Sequence, residues 1–78
     1  MHTIKSLQPN DDYELLLEFE NGNKKLFNLK PYLLLPVFKI LKDKSVFKKV
    51  TNHKYFIEWQ PHEIDLSADT LWHESISC

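Results

Sequence analysis

Strict alternation marks the first third of the chain. In residues 13–20 (YELLLEFE), Tyr13, Leu15, Leu17 and Phe19 fall on one face and Glu14, Glu18 and Glu20 on the other, with Leu16 out of phase. A period of two with one charged face predicts a half-buried antiparallel strand. Asn21-Gly22 follows at once. This dipeptide suits a two-residue type I′ hairpin, because both central residues of that turn need positive φ. Residues 23–30 (NKKLFNLK) return as the partner strand, with Phe27 and Leu29 inward. Residues 2–8 (HTIKSLQ) read as a shorter, weaker strand ahead of the hairpin, closed by the turn cluster Pro9-Asn10-Asp11-Asp12.

The period then changes. Pro31 stops the strand and Pro36 opens residues 36–42 (PVFKILK), which suit a helix with proline in its first turn. Val37, Phe38, Ile40 and Leu41 form an apolar stripe at helical spacing. A second short helix over about 43–49 places Val46, Phe47 and Val50 inward, with Asp43 and Ser45 as candidate caps. Alternation returns over 49–60, clearest at Tyr55, Ile57 and Trp59, with Asn52-His53 as a break or bend. Pro61-His62-Glu63 reads as a turn and Ile64-Asp65-Leu66 as a short return strand. Ser67 is a good N-cap for a last helix to about Ser75, where Asp69 suits the first turn and Leu71, Trp72 and Ile76 dock it. The order β-β-β-α-α-β-β-α predicts an α+β fold in one domain, residues 1–78. Its small antiparallel sheet has about four to five strands, with two to three short helices packed on one face.

Composition sharpens this picture. Of 78 residues, 42% are hydrophobic and 13% aromatic, which argues for a packed core rather than disorder. A core of this size contributes only ~3–5 kcal/mol unless something reinforces it. A single cysteine, Cys78, offers no disulfide, so oligomerisation is a reasonable expectation. A lone cysteine also fits a reducing compartment. The start Met1-His2-Thr3-Ile4-Lys5 lacks the apolar region of a leader. Runs such as Leu33-Leu34-Leu35 fall far short of the ~20 apolar residues a membrane span needs. A cytoplasmic protein without a membrane partner is expected.

Charge is segregated along the chain. Residues 1–23 hold Lys5 against Asp11, Asp12, Glu14, Glu18 and Glu20; residues 24–54 hold nine lysines against Asp43 alone; residues 55–78 hold Glu58, Glu63, Asp65, Asp69 and Glu74 with no lysine. The net charge is only −1, and arginine is absent.

Three stretches together carry a family resemblance. They are Phe19-Glu20-Asn21-Gly22 followed by Phe27-Asn28-Leu29; Pro36-Val37-Phe38 through Leu41 and Asp43, then Phe47 with Val50; and Ile57-Glu58-Trp59, then Asp65-Leu66-Ser67 and Leu71-Trp72. In order and spacing the chain resembles the domain-of-unknown-function family 2442 of small bacterial proteins, over nearly its whole length. The resemblance implies the fold above and transfers no activity. The family commonly places an Asn-Gly type of turn between the tryptophan and the aspartate, where this chain has Pro61-His62-Glu63. Some relatives carry a helix-turn-helix region downstream, which implies a link to transcriptional control; this chain, ending at Cys78, is not expected to hold one.

Candidate chemistry is sparse. His2, His53, His62, His73 and Cys78 show neither the H-x₃-H nor the C-x₂-C spacing of a metal site, so no metal or cofactor is expected. Ser67, His62 and Asp65 lie close together, but a cap explains Ser67 and a turn or strand edge explains Asp65. Gly22 is the only glycine, so no glycine-rich loop can cradle a phosphate. No catalytic residues are assigned, and the protein is not expected to be an enzyme.

Three surfaces remain as candidates. Lys39, Lys42, Lys44, Lys48, Lys49 and Lys54 form a lysine belt, either a solvated face or a phosphate-backbone footprint. Without arginine's planar fork such a footprint would be weak, salt-sensitive and nonspecific. Leu33, Leu34 and Leu35 either plug one end of the core or make an oligomer contact. Trp59 and Trp72 read first as core aromatics and second as an exposed patch; with Asp65, Trp59 marks a region that could take a small ligand. The leading expectation is a noncatalytic protein-interaction or accessory domain that self-associates through its opposed charges. The alternatives are a transcription-linked or weak nucleic-acid module, and a small-ligand binder near Trp59–Asp65.

Overall fold

The structure, a computed structural model, describes residues 2–78. Three strands come first: β1 (Ile4–Pro9), β2 (Glu14–Phe19) and β3 (Lys24–Asn28). Two 3₁₀ helices, η1 (Lys30–Leu34) and η2 (Pro36–Lys42), and the single turn α1 (Lys44–Phe47) lead on to β4 (Thr51–Asn52), β5 (Phe56–Trp59) and β6 (Ile64–Ser67). Helix α2 (Ala68–Glu74) and a last short strand, β7 (Ile76–Ser77), complete the order. The class is the α+β expected from the pattern.

The strands divide between two antiparallel sheets, where one was expected. The first runs β1-β2-β3-β7 and the second is the local meander β4-β5-β6. Strand counting could not separate them, because both bury one face in the same core. They meet at the start of β1, where Ile4 N–H donates to the Lys54 carbonyl at 2.8 Å and the Asn52 side-chain amide donates to the Ile4 carbonyl at 3.0 Å.

The hairpin keeps its predicted phase. Leu15 lies opposite Phe27 and Leu17 opposite Lys25, with Leu15, Leu17, Phe19 and Phe27 buried. The out-of-phase Leu16 faces outward opposite Leu26. The turn is not the two-residue type I′. Gly22 N–H donates to the Phe19 carbonyl and Phe19 N–H to the Asn23 carbonyl, each at 2.9 Å, with Gly22 at φ +89°. That is a longer loop with one left-handed position. Asn21 avoids positive φ and instead accepts the Asn23 N–H on its side-chain oxygen at 3.0 Å. Tyr13 precedes β2 with left-handed φ of 60°, half-buried, and its hydroxyl donates to the Lys42 carbonyl.

Both caps sit where the sequence places them. Asp43 accepts the Ser45 N–H at 2.9 Å to start α1, so Ser45 is the capped partner and not a cap itself. Ser67 accepts the Thr70 N–H at 3.0 Å to start α2. Helix α2 ends at Glu74, so Ile76, expected to dock it, lies in β7 opposite Leu26 and is exposed. Trp59 is fully buried at the centre of the core, and its indole N–H donates to the Phe47 carbonyl at 2.8 Å. Among the described residues no buried side-chain nitrogen or oxygen lacks a partner.

Candidate functional site

The segment 36–42 forms a 3₁₀ helix, and its period decides what the surface looks like. An α-helix at 3.6 residues per turn would gather Val37, Phe38, Ile40 and Leu41 into one stripe. A 3₁₀ helix has three residues per turn, so side chains three apart eclipse. The seven residues therefore sort into three rows. Phe38 and Leu41 are buried in the core. Val37 and Ile40 stand outward, 66% and 44% exposed. Lys39 and Lys42 form the third row, also exposed. Pro31 and Pro36 sit in the first turns of η1 and η2 and hold both segments to short, separate helices.

The leucine run ahead of η2 splits in the same way. Leu33 is buried and plugs the core. Leu34, at 82%, and Leu35, at 50%, face outward. Leu33 thus takes the core position, while Leu34 and Leu35 stay at the surface. Tyr32 fixes the segment to α2: its hydroxyl donates to Glu74 Oε1, and its ring lies edge-on to Phe38 at 5.2 Å. Burial, reinforced by the bond to Glu74, pushes the Tyr32 hydroxyl up to about 12. The segment thus exposes Leu34 and Leu35 ahead of η2 and Val37 and Ile40 on it, with Lys39 and Lys42 in the adjacent row. From Lys24 to Lys42 the sequence contains no carboxylate.

In the rest of the lysine belt, Lys48 and Lys44 are engaged with other side chains. Lys48 pairs with Asp11, and this hydrogen bond holds the Asp11 carboxyl below its ordinary range. The Lys44 ammonium lies 5.8 Å from the Tyr13 ring centre. Lys49 is exposed beyond α1. Lys54 lies apart, in the turn between β4 and β5 at a left-handed φ of 71°.

The second sheet presents the opposite chemistry. Its outward residues include Phe56 opposite Ser67 and Glu58 opposite Asp65. Tyr55 and Phe56 are exposed aromatics, and the His53 ring stacks on Phe56 at 4.7 Å. His53 Nε2 lies 3.2 Å from Glu58 Oε1. Asp65 is exposed and forms no ion pair among the described residues.

Trp59 and Asp65 are not brought together as a ligand site, because Trp59 points into the core while Asp65 faces solvent. The nearest depression, lined by Glu58, Gln60, Pro61 and Glu63, is shallow and open, and Trp59 takes no part in it. Among the described residues, no three His, Cys, Asp or Glu side chains gather as a metal site would need. No helix among them is long and apolar enough to cross a membrane.

One cluster was missed by the sequence reading. His2 stacks on Trp72 at 4.2 Å, and its Nδ1 and backbone nitrogen both contact Asp69 Oδ1 at 2.9 Å. The bond from the His2 ring lowers the Asp69 carboxyl below its ordinary range. Lys25, only 9% exposed, places its ammonium 4.3 Å from the Trp72 ring centre and donates to the Trp72 carbonyl. A signal for Lys25 existed, since it alternates in phase with Phe27 and Leu29.

The family model described as Protein of unknown function (DUF2442) matches residues 4–77, so the chain belongs to that family. No curated protein and no solved structure matches it.

Proposed function

We propose that this member of a family without an assigned activity is a noncatalytic, cytoplasmic protein-interaction domain, and that its contact surface is the lysine-bordered aliphatic face of η1 and η2. The observation that carries the reading is the pair of outward rows on η2, Val37 and Ile40 beside Lys39 and Lys42. Large aliphatic side chains grouped on a short, proline-framed segment mark contact sites more often than scattered single exposures do. The flanking lysines give the face orientation and partner choice. The test is in-cell photo-crosslinking with a photoreactive residue at Val37, compared with one at Gln8 on the first sheet. A discrete protein adduct from position 37, lost in Lys39→Glu/Lys42→Glu, supports the reading. Equal, diffuse labelling from both positions sinks it.

A second reading is a weak, nonspecific nucleic-acid contact. It is favoured by the exposed Lys39, Lys42, Lys44, Lys48 and Lys49 on consecutive elements. Retardation of duplex DNA at low salt, falling steeply as salt rises, would support it. No retardation at tens of micromolar protein removes it.

A further inference from the structure

Resting on the interaction reading above, we propose that the occupant of the η1–η2 face is a second copy of this chain, presenting the outward face of its second sheet. Each of the two faces carries a pair of like charges. Lys39 and Lys42 are three apart on a 3₁₀ helix, so they stand eclipsed about 6 Å apart along its axis. Neither η1 nor η2 has an acidic residue in its first turn. Glu58 and Asp65 are directly opposite each other across the β5–β6 ladder. That register holds their Cβ atoms about 5 Å apart and is destabilising for like charges. His53 Nε2 lies 3.2 Å from Glu58 Oε1, an ion pair when the imidazole is protonated, and Asp65 has no ion-pair partner among the described residues. Each pair repels internally, the spacings match, and the signs are opposite. Docking one on the other relieves both.

The apolar parts agree with the charges. Val37 and Ile40 form the row beside the lysines, and Phe56, two residues before Glu58 in the outward phase of β5, stands beside the carboxylates with the His53 ring stacked on it. An aliphatic ridge against aromatic rings supplies the anchoring contact that an ion-pair lattice alone would lack. Lys54, beside Tyr55 in sequence, and His53, 3.2 Å from Glu58, border the carboxylate face, and neither lies between Glu58 and Asp65 in the β5–β6 ladder. The two faces differ, so the contact is heterologous. A single such contact propagates into a ring or an open chain, and a closed two-fold dimer forms only where both faces of one chain meet both faces of the other.

The test is a charge swap on the full chain, read by sedimentation velocity up to about 500 μM in about 20 mM and about 500 mM NaCl. The wild-type chain is expected to associate at low salt and to weaken about tenfold or more at high salt. Lys39→Glu/Lys42→Glu and Glu58→Lys/Asp65→Lys should each weaken association about tenfold alone, because each places like charges on both faces of the contact. Mixed in equal amounts they should recover association to within about threefold of wild type, since both contacts regain opposite charges. Leu34→Ser/Val37→Ser, at exposed positions, should weaken association while leaving the near-ultraviolet circular dichroism spectrum unchanged. A wild-type chain monomeric throughout, or a mixture no tighter than its components, overturns the proposal. If position 37 then still crosslinks to a different protein, the interaction reading stands and only the second copy is lost.

Discussion

The hairpin Glu14–Asn28 and the segment Lys30–Lys42 are neighbours in sequence with four leucines each, yet they expose very different surfaces. In the hairpin every second residue enters the core, so Leu15, Leu17, Phe19 and Phe27 are buried and the outward phase is mostly polar, Leu16 and Leu26 excepted. In the 3₁₀ segment every third residue enters, so Phe38 and Leu41 are buried while Val37 and Ile40, equally apolar, stand outward. A period of two leaves one face for solvent; a period of three leaves two. The second outward row is where a sequence can place a contact surface without weakening its core.

Four measurements sharpen or break this contrast. The largest effect is expected from the inward rows. Phe27→Ala and Phe38→Ala should each cost about 3–5 kcal/mol, comparable with the stability of a domain this small, so little folded protein should remain at room temperature by circular dichroism. Next comes the hairpin's left-handed position. Gly22→Ala meets no atom within 4 Å, so its cost of about 1 kcal/mol should be purely conformational and visible as a lower urea midpoint at unchanged slope.

A smaller, pH-dependent effect should come from the Tyr32 anchor. Folding favours the neutral phenol and raises it from 10.0 to about 12. The unfolded chain therefore loses its proton first, and this contribution is whole below pH 10 and fades as pH rises toward about 12. Tyr32→Phe should flatten stability over that window; an unchanged alkaline profile would mean that η1 is not tied to α2 through this bond. The smallest effect belongs to the outward rows. Leu16→Ser and Val37→Ser should each change stability by less than about 0.5 kcal/mol. If Val37→Ser costs as much as Phe38→Ala, the outward row belongs to the core and the contrast collapses.

The sequence made the hairpin legible because alternation there has one structural meaning and only Leu16 and Leu26 put apolar side chains in the outward phase. Ser67 and Asp43 were legible as caps because a short polar side chain ahead of a helix has a specific hydrogen-bonding use. Residues 36–42 were harder. Their apolar spacing satisfies an α-helix and a 3₁₀ helix equally, and the choice is made by the two prolines and by what Phe38 and Leu41 find beneath them. Trp59 could not be told from Trp72 by type; the Phe47 carbonyl, twelve residues away, decides which is sealed in. The carboxylate face of the second sheet could not be read either, because the Glu58–Asp65 register depends on a turn whose Glu63 takes a left-handed φ of 58°. Among the surface candidates, Val37 and Ile40 were passed over because a single helical stripe was expected to include them.

The pairing of β3 with β7 has a consequence for the time course of folding. The β2–β3 hairpin is a local structure of the kind that forms in about 1–10 μs. Its far edge is completed by Lys25–Ser77 and Leu26–Ile76, and the bond from the Lys25 ammonium to the Trp72 carbonyl spans 47 residues. Such long-range closure is slow, because the intervening chain loses its freedom before the contact is made. The hairpin is thus expected to form with its β3 edge bare and to gain β7 afterwards.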